Sequence, residues 1–226
     1  EFENLTKSYG NWPVLSNLNF SLEEGKVIGV VGPNGCGKTT LFKIIVGLIN
    51  DYKGTVRIDG HTPDEYTRSI ISYLPERTYL NDWMKAGDAI DTFADFFSDF
   101  DKQKAEELLA RFQLTRNMRM KTMSKGMQEK LHLSLVMSRK AKLYVLDEPL
   151  SGVDPAARET IIDVILRNYN PGSSVLLSTH LIYDVENLFD HVIMMRPGSI
   201  VVNDSAENIR TRTGKTLDEY FREVFR

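Results

Sequence analysis

The sequence predicts an α/β fold, and three observations carry that reading. The apolar run Val27-Ile28-Gly29-Val30-Val31 leads directly into a glycine-rich loop and then into a helix-patterned segment. From about Asp82 to Ser138 the hydrophobic period is helical. Strand-like apolar runs then return, and the first of them ends in a pair of carboxylates, Asp147-Glu148. The result is an α/β core interrupted by a helical insertion over residues 76–136, flanked by core segments 1–75 and 137–226, all within one domain.

In chain order, Phe2 to Tyr9 and Val14 to Leu22 read as strands separated by the turn signal Gly10-Asn11, with Glu24-Gly25 closing the second. Val27 to Val31 reads as a buried strand. Residues 41, 44, 45 and 48 are Leu, Ile, Ile and Leu, the spacing of one helix face. Thr55 to Gly60 reads as a strand ending in a turn. Within the helical stretch, Ile90, Phe93, Phe97 and Phe100 form one apolar stripe, and Ala105, Leu108, Leu109 and Phe112 form another. Both are expected to face a core rather than a ligand. Leu143 to Leu146, Ser174 to Ser178, His191 to Met195 and Ser199 to Val202 supply the returning strands. Asp154-Pro155 opens a helix, with Asp as N-cap and Pro at the first helical position, and its expected buried face is Ile161, Ile162, Ile165 and Leu166. Thr216 to Glu219 has the form of a capping box before a last short helix.

The bulk numbers fit a globular domain: 226 residues, 42% hydrophobic and 26% charged. Net charge is −3, so the basic excess that marks a nucleic-acid binder is missing. A single cysteine excludes an internal disulfide, and a reducing, cytosolic setting is expected. No apolar run approaches the roughly 20 residues of a membrane helix, and no signal peptide is recognisable. The chain begins at Glu1 rather than Met, which leaves room for a few leading residues.

Gly32-Pro33-Asn34-Gly35-Cys36-Gly37-Lys38-Thr39 fits the phosphate-binding pattern G-x-x-x-x-G-K-[ST], and it stands in the strand-to-helix setting the motif requires. Glycines let backbone N–H groups turn towards phosphate oxygens, and the positive end of the following helix points at them. Lys38 supplies a mobile cation, and the Thr39 hydroxyl is placed for Mg²⁺; Thr40 closes the loop. Cys36, just before a helix start, is expected either to have a lowered thiol pKa and react with maleimide unless a bound phosphate ligand protects it, or to be simply a small residue that fits the loop. Asp147 and Glu148 end an apolar strand, the edge of an open α/β sheet where ligands bind. Asp147 suits Mg²⁺ held through water, and Glu148 suits proton acceptance from an attacking water. His61, His132 and His191 lack ligand-like companions and read as surface or core residues. Met118, Met120, Met123 and Met127 read as packing residues, and Arg116, Arg119, Lys121, Lys125 and Lys130 as a solvated basic face.

The order of motifs resembles the nucleotide-binding subunits of ATP-binding-cassette (ABC) transporters over nearly the whole chain. Tyr9 lies where that family places an aromatic on adenine. Met123-Ser124-Lys125-Gly126-Met127 resembles the LSGGQ signature, Pro149 to Asp154 the D-loop, and Ser178-Thr179-His180 the switch-histidine segment. The resemblance implies a P-loop NTPase core with an antiparallel β subdomain and an inserted helical subdomain. It implies a head-to-tail pair of such domains, identical or different, with ATP between Lys38 and Thr39 of one and Ser124, Gly126 and Met127 of the other. It further implies Glu148 as general base, His180 as a phosphate contact, and separate transmembrane permease subunits at the cytoplasmic face of the membrane.

Two departures from the family pattern stand out. Lys125 and Met127 replace Gly and Gln of the signature, giving a Ser-Lys-Gly-Met form that resembles bacterial exporter cassettes; Lys125 is expected either near nucleotide or in solvent. Glu76, in Ser72-Tyr73-Leu74-Pro75-Glu76, stands where the family usually has Gln, keeping an oxygen ligand for Mg²⁺ but adding charge. Tyr79, Leu80, Trp83 and Met84 follow it and read either as permease-docking residues or as packing. The competing functions are a non-transport ABC ATPase acting on ribosome or DNA, and a degenerate ATP-binding scaffold. The single cassette without heptads or basic excess weighs against the former. The presence of Lys38, Glu148 and His180 weighs against the latter.

Overall fold

The computed structural model describes residues 1–226. Its elements run β1 (Phe2–Tyr9), β2 (Trp12–Phe20), β3 (Val27–Val31), α1 (Lys38–Ile45), β4 (Lys53–Val56), α2 (Glu65–Ile70), β5 (Ile71–Leu74), α3 (Ala86–Phe96), α4 (Lys102–Arg111), α5 (Lys125–Met137), β6 (Leu143–Asp147), α6 (Pro155–Asn168), β7 (Ser174–Thr179), α7 (Ile182–Val185), β8 (His191–Arg196), β9 (Ser199–Ser205), α8 (Ala206–Thr213) and α9 (Leu217–Val224). Two sheets form. One is antiparallel in the order β2-β1-β4; the other has the order β5-β6-β7-β3-β8-β9. In the larger sheet every pairing is parallel except β8 with β9.

The placement of β3 explains its composition. It lies between β7 and β8, all five of its residues are buried, and a central parallel strand covered on both faces must be apolar throughout. Helix α1 buries Leu41, Phe42, Ile44 and Ile45 in a cluster shared by both sheets. A second cluster gathers the other face of the large sheet with α3, α4, α5 and α6. Burying one such aliphatic or aromatic side chain is worth about 1.5–3 kcal/mol, so these two clusters fix how the loops at the strand ends sit.

Several elements differ from expectation. The run at 55–60 is a strand only over Lys53–Val56; Ile58 pairs with His61 around Asp59 and Gly60, both at positive φ. The Phe stripe outlasts its helix: α3 ends at Phe96, yet Phe97 and Phe100 still pack against Phe93 as tilted ring pairs, with centroids 5.3 and 5.7 Å away. In α6 the buried face is Ile161, Val164 and Ile165, while Leu166 is exposed. The short α2 and β5 escape the sequence pattern; α2 starts at an Asp64–Thr67 capping box. The Asp154 and Thr216 caps form as their sequences require.

Arg139, just past α5, ties the inserted helices to the sheet edge. Its guanidinium is buried, donates to the carbonyls of Ile71 (2.6 Å) and Ser69 (2.5 Å), and pairs with Asp99 at 3.0 Å. The guanidinium also lies over the Phe97 ring, its Cζ 3.9 Å from the ring centroid. One side chain therefore links the loop after α3, the end of α2 and the start of β5.

Candidate functional site

The loop from Gly32 to Thr39 joins β3 to α1 and is held in shape by close backbone approach. A Cβ at Gly32 would lie 2.4 Å from the Met195 carbonyl oxygen, and Gly37, at φ 111°, lies against Val14 and Leu15 of β2. Neither position tolerates a side chain. Lys38 begins α1 and turns back over the loop; its ammonium donates to the Gly32 carbonyl (2.8 Å) and lies 3.6 Å from a Glu148 oxygen.

The carboxylates arrive from β6. Asp147 pairs in register with Ser178 of β7, and the Ser178 hydroxyl donates to Asp147 Oδ1 at 2.6 Å. The same hydroxyl accepts the Glu148 backbone N–H at 2.9 Å. Ser178 thus orients both acids. Glu148 adopts φ 52°, a left-handed conformation that costs a side-chain-bearing residue energy. Its carboxylate bridges two side chains: Oε1 faces Lys38, and Oε2 lies 2.8 Å from His180 Nδ1. Burial, first of all, raises the Asp147 pKa, against the Ser178 hydrogen bond and the nearby Thr39 hydroxyl that lower it; Glu76 and Glu148 push it further up. Asp147 Oδ2 and the Tyr73 hydroxyl are both buried without a hydrogen-bond partner.

Asn34, Gly35, Lys38, Thr39, Glu76, Glu148, Ser151 and His180 line a cleft of about 340 Å³. Glu76 and Glu148 also border an adjoining cleft of about 520 Å³ that takes in Asp147 and reaches Lys125, Gln128 and His132. Ser124, Gly126 and Met127 line neither cleft. Ser124 caps α5, its hydroxyl accepting the Met127 N–H at 3.3 Å, and is exposed. Lys125 pairs with Glu129 at 3.7 Å and lies over Gly152, where a Cβ would come within 2.8 Å of its chain. Tyr9 lies at the tip of the β1–β2 hairpin, outside both clefts.

Sequence reasoning missed Ser178 as the residue positioning both acids, Ser151 as cleft lining, and the Tyr73 hydroxyl. Only the β6–β7 register reveals the first. One expectation is overturned. Cys36 is fully buried, its sulfur tucked against Gly32, and burial raises its thiol pKa more than Lys38 lowers it. The helix-start field is real, but desolvation of the thiolate exceeds it. Native Cys36 is therefore expected to resist maleimide at neutral pH and to react only in denaturant; rapid stoichiometric labelling of folded protein would contradict this.

His132 is buried, stacked on Tyr79 with 5.1 Å between centroids and hydrogen-bonded to Thr78, and burial pulls its pKa down to about 4. It is a neutral packing residue. No group of three His, Cys, Asp or Glu side chains has metal-site geometry. Met120 and Met123 are buried, with Met118 and Met127 packed against the same core. Of the four residues after Glu76 singled out above, Tyr79 and Trp83 are exposed, Leu80 is partly covered and Met84 is buried.

A nucleotide-type phosphate loop facing a strand-end carboxylate pair defines a phosphate-loop ATPase on an open α/β sheet. A family model described as ABC transporter matches residues 15–151. An uncharacterised ABC transporter ATP-binding protein of Bacillus subtilis, YxlF, is 32% identical over 204 residues, covering 88% of this chain and 68% of that protein. The ABC-type transporter ATP-binding protein EcsA of the same organism is 29% identical, covering 98% of this chain and 94% of its own length. A solved ATP-binding subunit of an ABC transporter superposes with a TM-score of 0.89 at 25% identity, covering 100% of this chain and 98% of that one. The chain belongs to the ABC transporter family, as an ATP-binding and ATP-hydrolysing subunit.

Proposed function

We propose that this subunit drives transport through separate membrane permease subunits at the cytoplasmic face of the membrane, working as a pair of nucleotide-binding domains. The observation that carries the reading is the Glu148 carboxylate set between Lys38 and His180 at the mouth of the phosphate loop. No helix of the chain is long and apolar enough to cross a membrane; in this reading the permease subunits supply the path for cargo. A relative by fold has been solved as a dimeric bacterial ABC transporter cassette.

In this reading the backbone of Gly32 to Thr40 and the Lys38 ammonium take the phosphates, which displace Lys38 from the Gly32 carbonyl. Tyr9 stacks on adenine. The exposed Ser124 hydroxyl, with the Gly126 and Met127 backbone at the start of α5, caps the terminal phosphate bound to the other copy. Thr39, Asp147 and Glu76 would hold Mg²⁺ through water, and the unpartnered, buried Asp147 Oδ2 fits that need. When bound, the ion would offset charge on the phosphates. Glu148 accepts the proton of the attacking water. His180 keeps Glu148 in place through Nδ1 and leaves Nε2 for the transferred phosphoryl group. Positioning and charge complementarity then do most of the catalytic work.

A tagged copy recovered from detergent-solubilised host membranes is expected to bring down a polytopic membrane protein, identified by mass spectrometry. Recovery with ribosomal or other soluble partners alone, and none from membranes, would overturn the transport role.

A further inference from the structure

We propose that Trp12 is a second contact for the nucleobase, forming an aromatic platform with Tyr9 that sets how strongly a purine nucleotide is preferred over bare polyphosphate. The proposal rests on Tyr9 as the nucleobase contact and extends it to a residue that no motif of the chain singles out.

The β1–β2 register sets the two residues opposite one another. Tyr9 pairs directly with Trp12, and Lys7 pairs with Leu15, with a register shift between Lys7 and Ser8. Directly opposed residues in an antiparallel pair point to the same face, and Lys7 and Tyr9 alternate along one strand. Lys7, Tyr9, Trp12 and Leu15 therefore share one face of the hairpin; the shift puts an extra residue into β2, which is what brings Trp12 onto it. Leu15 anchors that face: it is fully buried, and its Cδ2 lies 2.8 Å from where a Cβ on Gly37 would be. The face that touches the phosphate loop at Leu15 thus carries both aromatics at its tip. At about 3.3 Å per residue they lie roughly 10 Å beyond the loop, the direction in which a ribose and base extend from bound phosphates.

Exposure and charge complete the case. Trp12 is 76% and Tyr9 52% exposed, although both are large apolar groups. Lys7 is buried, pairs with Asp51 at 2.6 Å, and holds its ammonium 4.7 Å from the centre of the Tyr9 ring. One face of Tyr9 is thereby covered and the ring is fixed, so a base has the other face of Tyr9 and the neighbouring indole. Stacking on two rings buries more of a purine than of a pyrimidine, and it adds nothing for tripolyphosphate.

The chain has two tryptophans, Trp12 and Trp83, so Trp83→Phe leaves Trp12 as sole indole reporter. Its emission is expected to change on titration with Mg-ATP and to stay flat with Mg-tripolyphosphate, at an amplitude independent of protein concentration. Trp12→Ala should weaken Mg-ATP binding about tenfold, leave tripolyphosphate binding within about twofold, and raise KM with little change in kcat; Trp12→Phe should recover most of the loss. Calorimetry on the same samples reads ATP binding separately. ATP binding with a silent Trp12, or an equal response to tripolyphosphate, would overturn the platform alone. A response that grows with protein concentration would place Trp12 against a second copy and overturn it too. Absence of ATP binding would overturn the nucleotide reading itself and the platform with it.

Discussion

Replacing Glu148 with Gln is expected to lower ATP turnover by about 10²–10⁴-fold while Mg-ATP still binds. Gln has nearly the volume of Glu and can still receive a hydrogen bond from His180, but it has no basic oxygen for a water proton. The change also removes the negative partner 3.6 Å from Lys38, which frees that ammonium for phosphate and should hold or slightly tighten nucleotide affinity. Single-turnover hydrolysis and equilibrium binding separate the two effects. A loss confined to the chemical step, with nucleotide-bound protein accumulating as a pair, is the expected result. Turnover within about tenfold of the parent would remove Glu148 from the role of base, and a parallel collapse of binding would make its contribution structural.

The largest expected effect on stability lies away from the nucleotide. Arg139→Met keeps much of the side chain's aliphatic length but takes the guanidinium off Phe97, and it leaves the Ile71 and Ser69 carbonyls without their charged donor and Asp99 without its partner. Hydrogen bonds to a charged group are worth about 1.5–3 kcal/mol each, and breaking a buried pair costs about 3–5 kcal/mol. Asp99 regains water as it is released, so a net loss of about 3 kcal/mol is expected. For a chain of this size that lowers Tm by roughly 10 °C. A shift below about 3 °C in a thermal scan would show that the node contributes little, and Asp99→Asn should give a smaller loss than Arg139→Met.

What the sequence discloses and what it hides follow from range. The phosphate loop, the carboxylates after β6 and the caps at Asp154 and Thr216 depend on residues within a few positions of one another, and they read directly. The α/β class follows from the same local signals. Helix α2 spans six residues and β5 four; neither is long enough to show a period. Phe97 and Phe100 continue an apolar stripe in spacing, but the chain leaves the helix after Phe96 and the rings reach Phe93 by a different backbone path. The charge near Cys36 is visible in sequence, whereas its burial depends on the core cluster it joins with residues of both sheets. Ser178 gains its function only when β7 lies beside β6. The register shift that sets Trp12 beside Tyr9 is likewise a property of two strands together.

The left-handed backbone at Glu148 has a consequence for the history and the engineering of this chain. A glycine or asparagine fits that conformation with less strain, so with Glu148 as the proposed base, folding and turnover would favour different residues at the same position. Variation screened only for robustness would drift towards those replacements and yield long-lived, nucleotide-loaded subunits that never reset. With Glu148 as the proposed base, keeping glutamate there is a standing cost that repeated cycling would maintain.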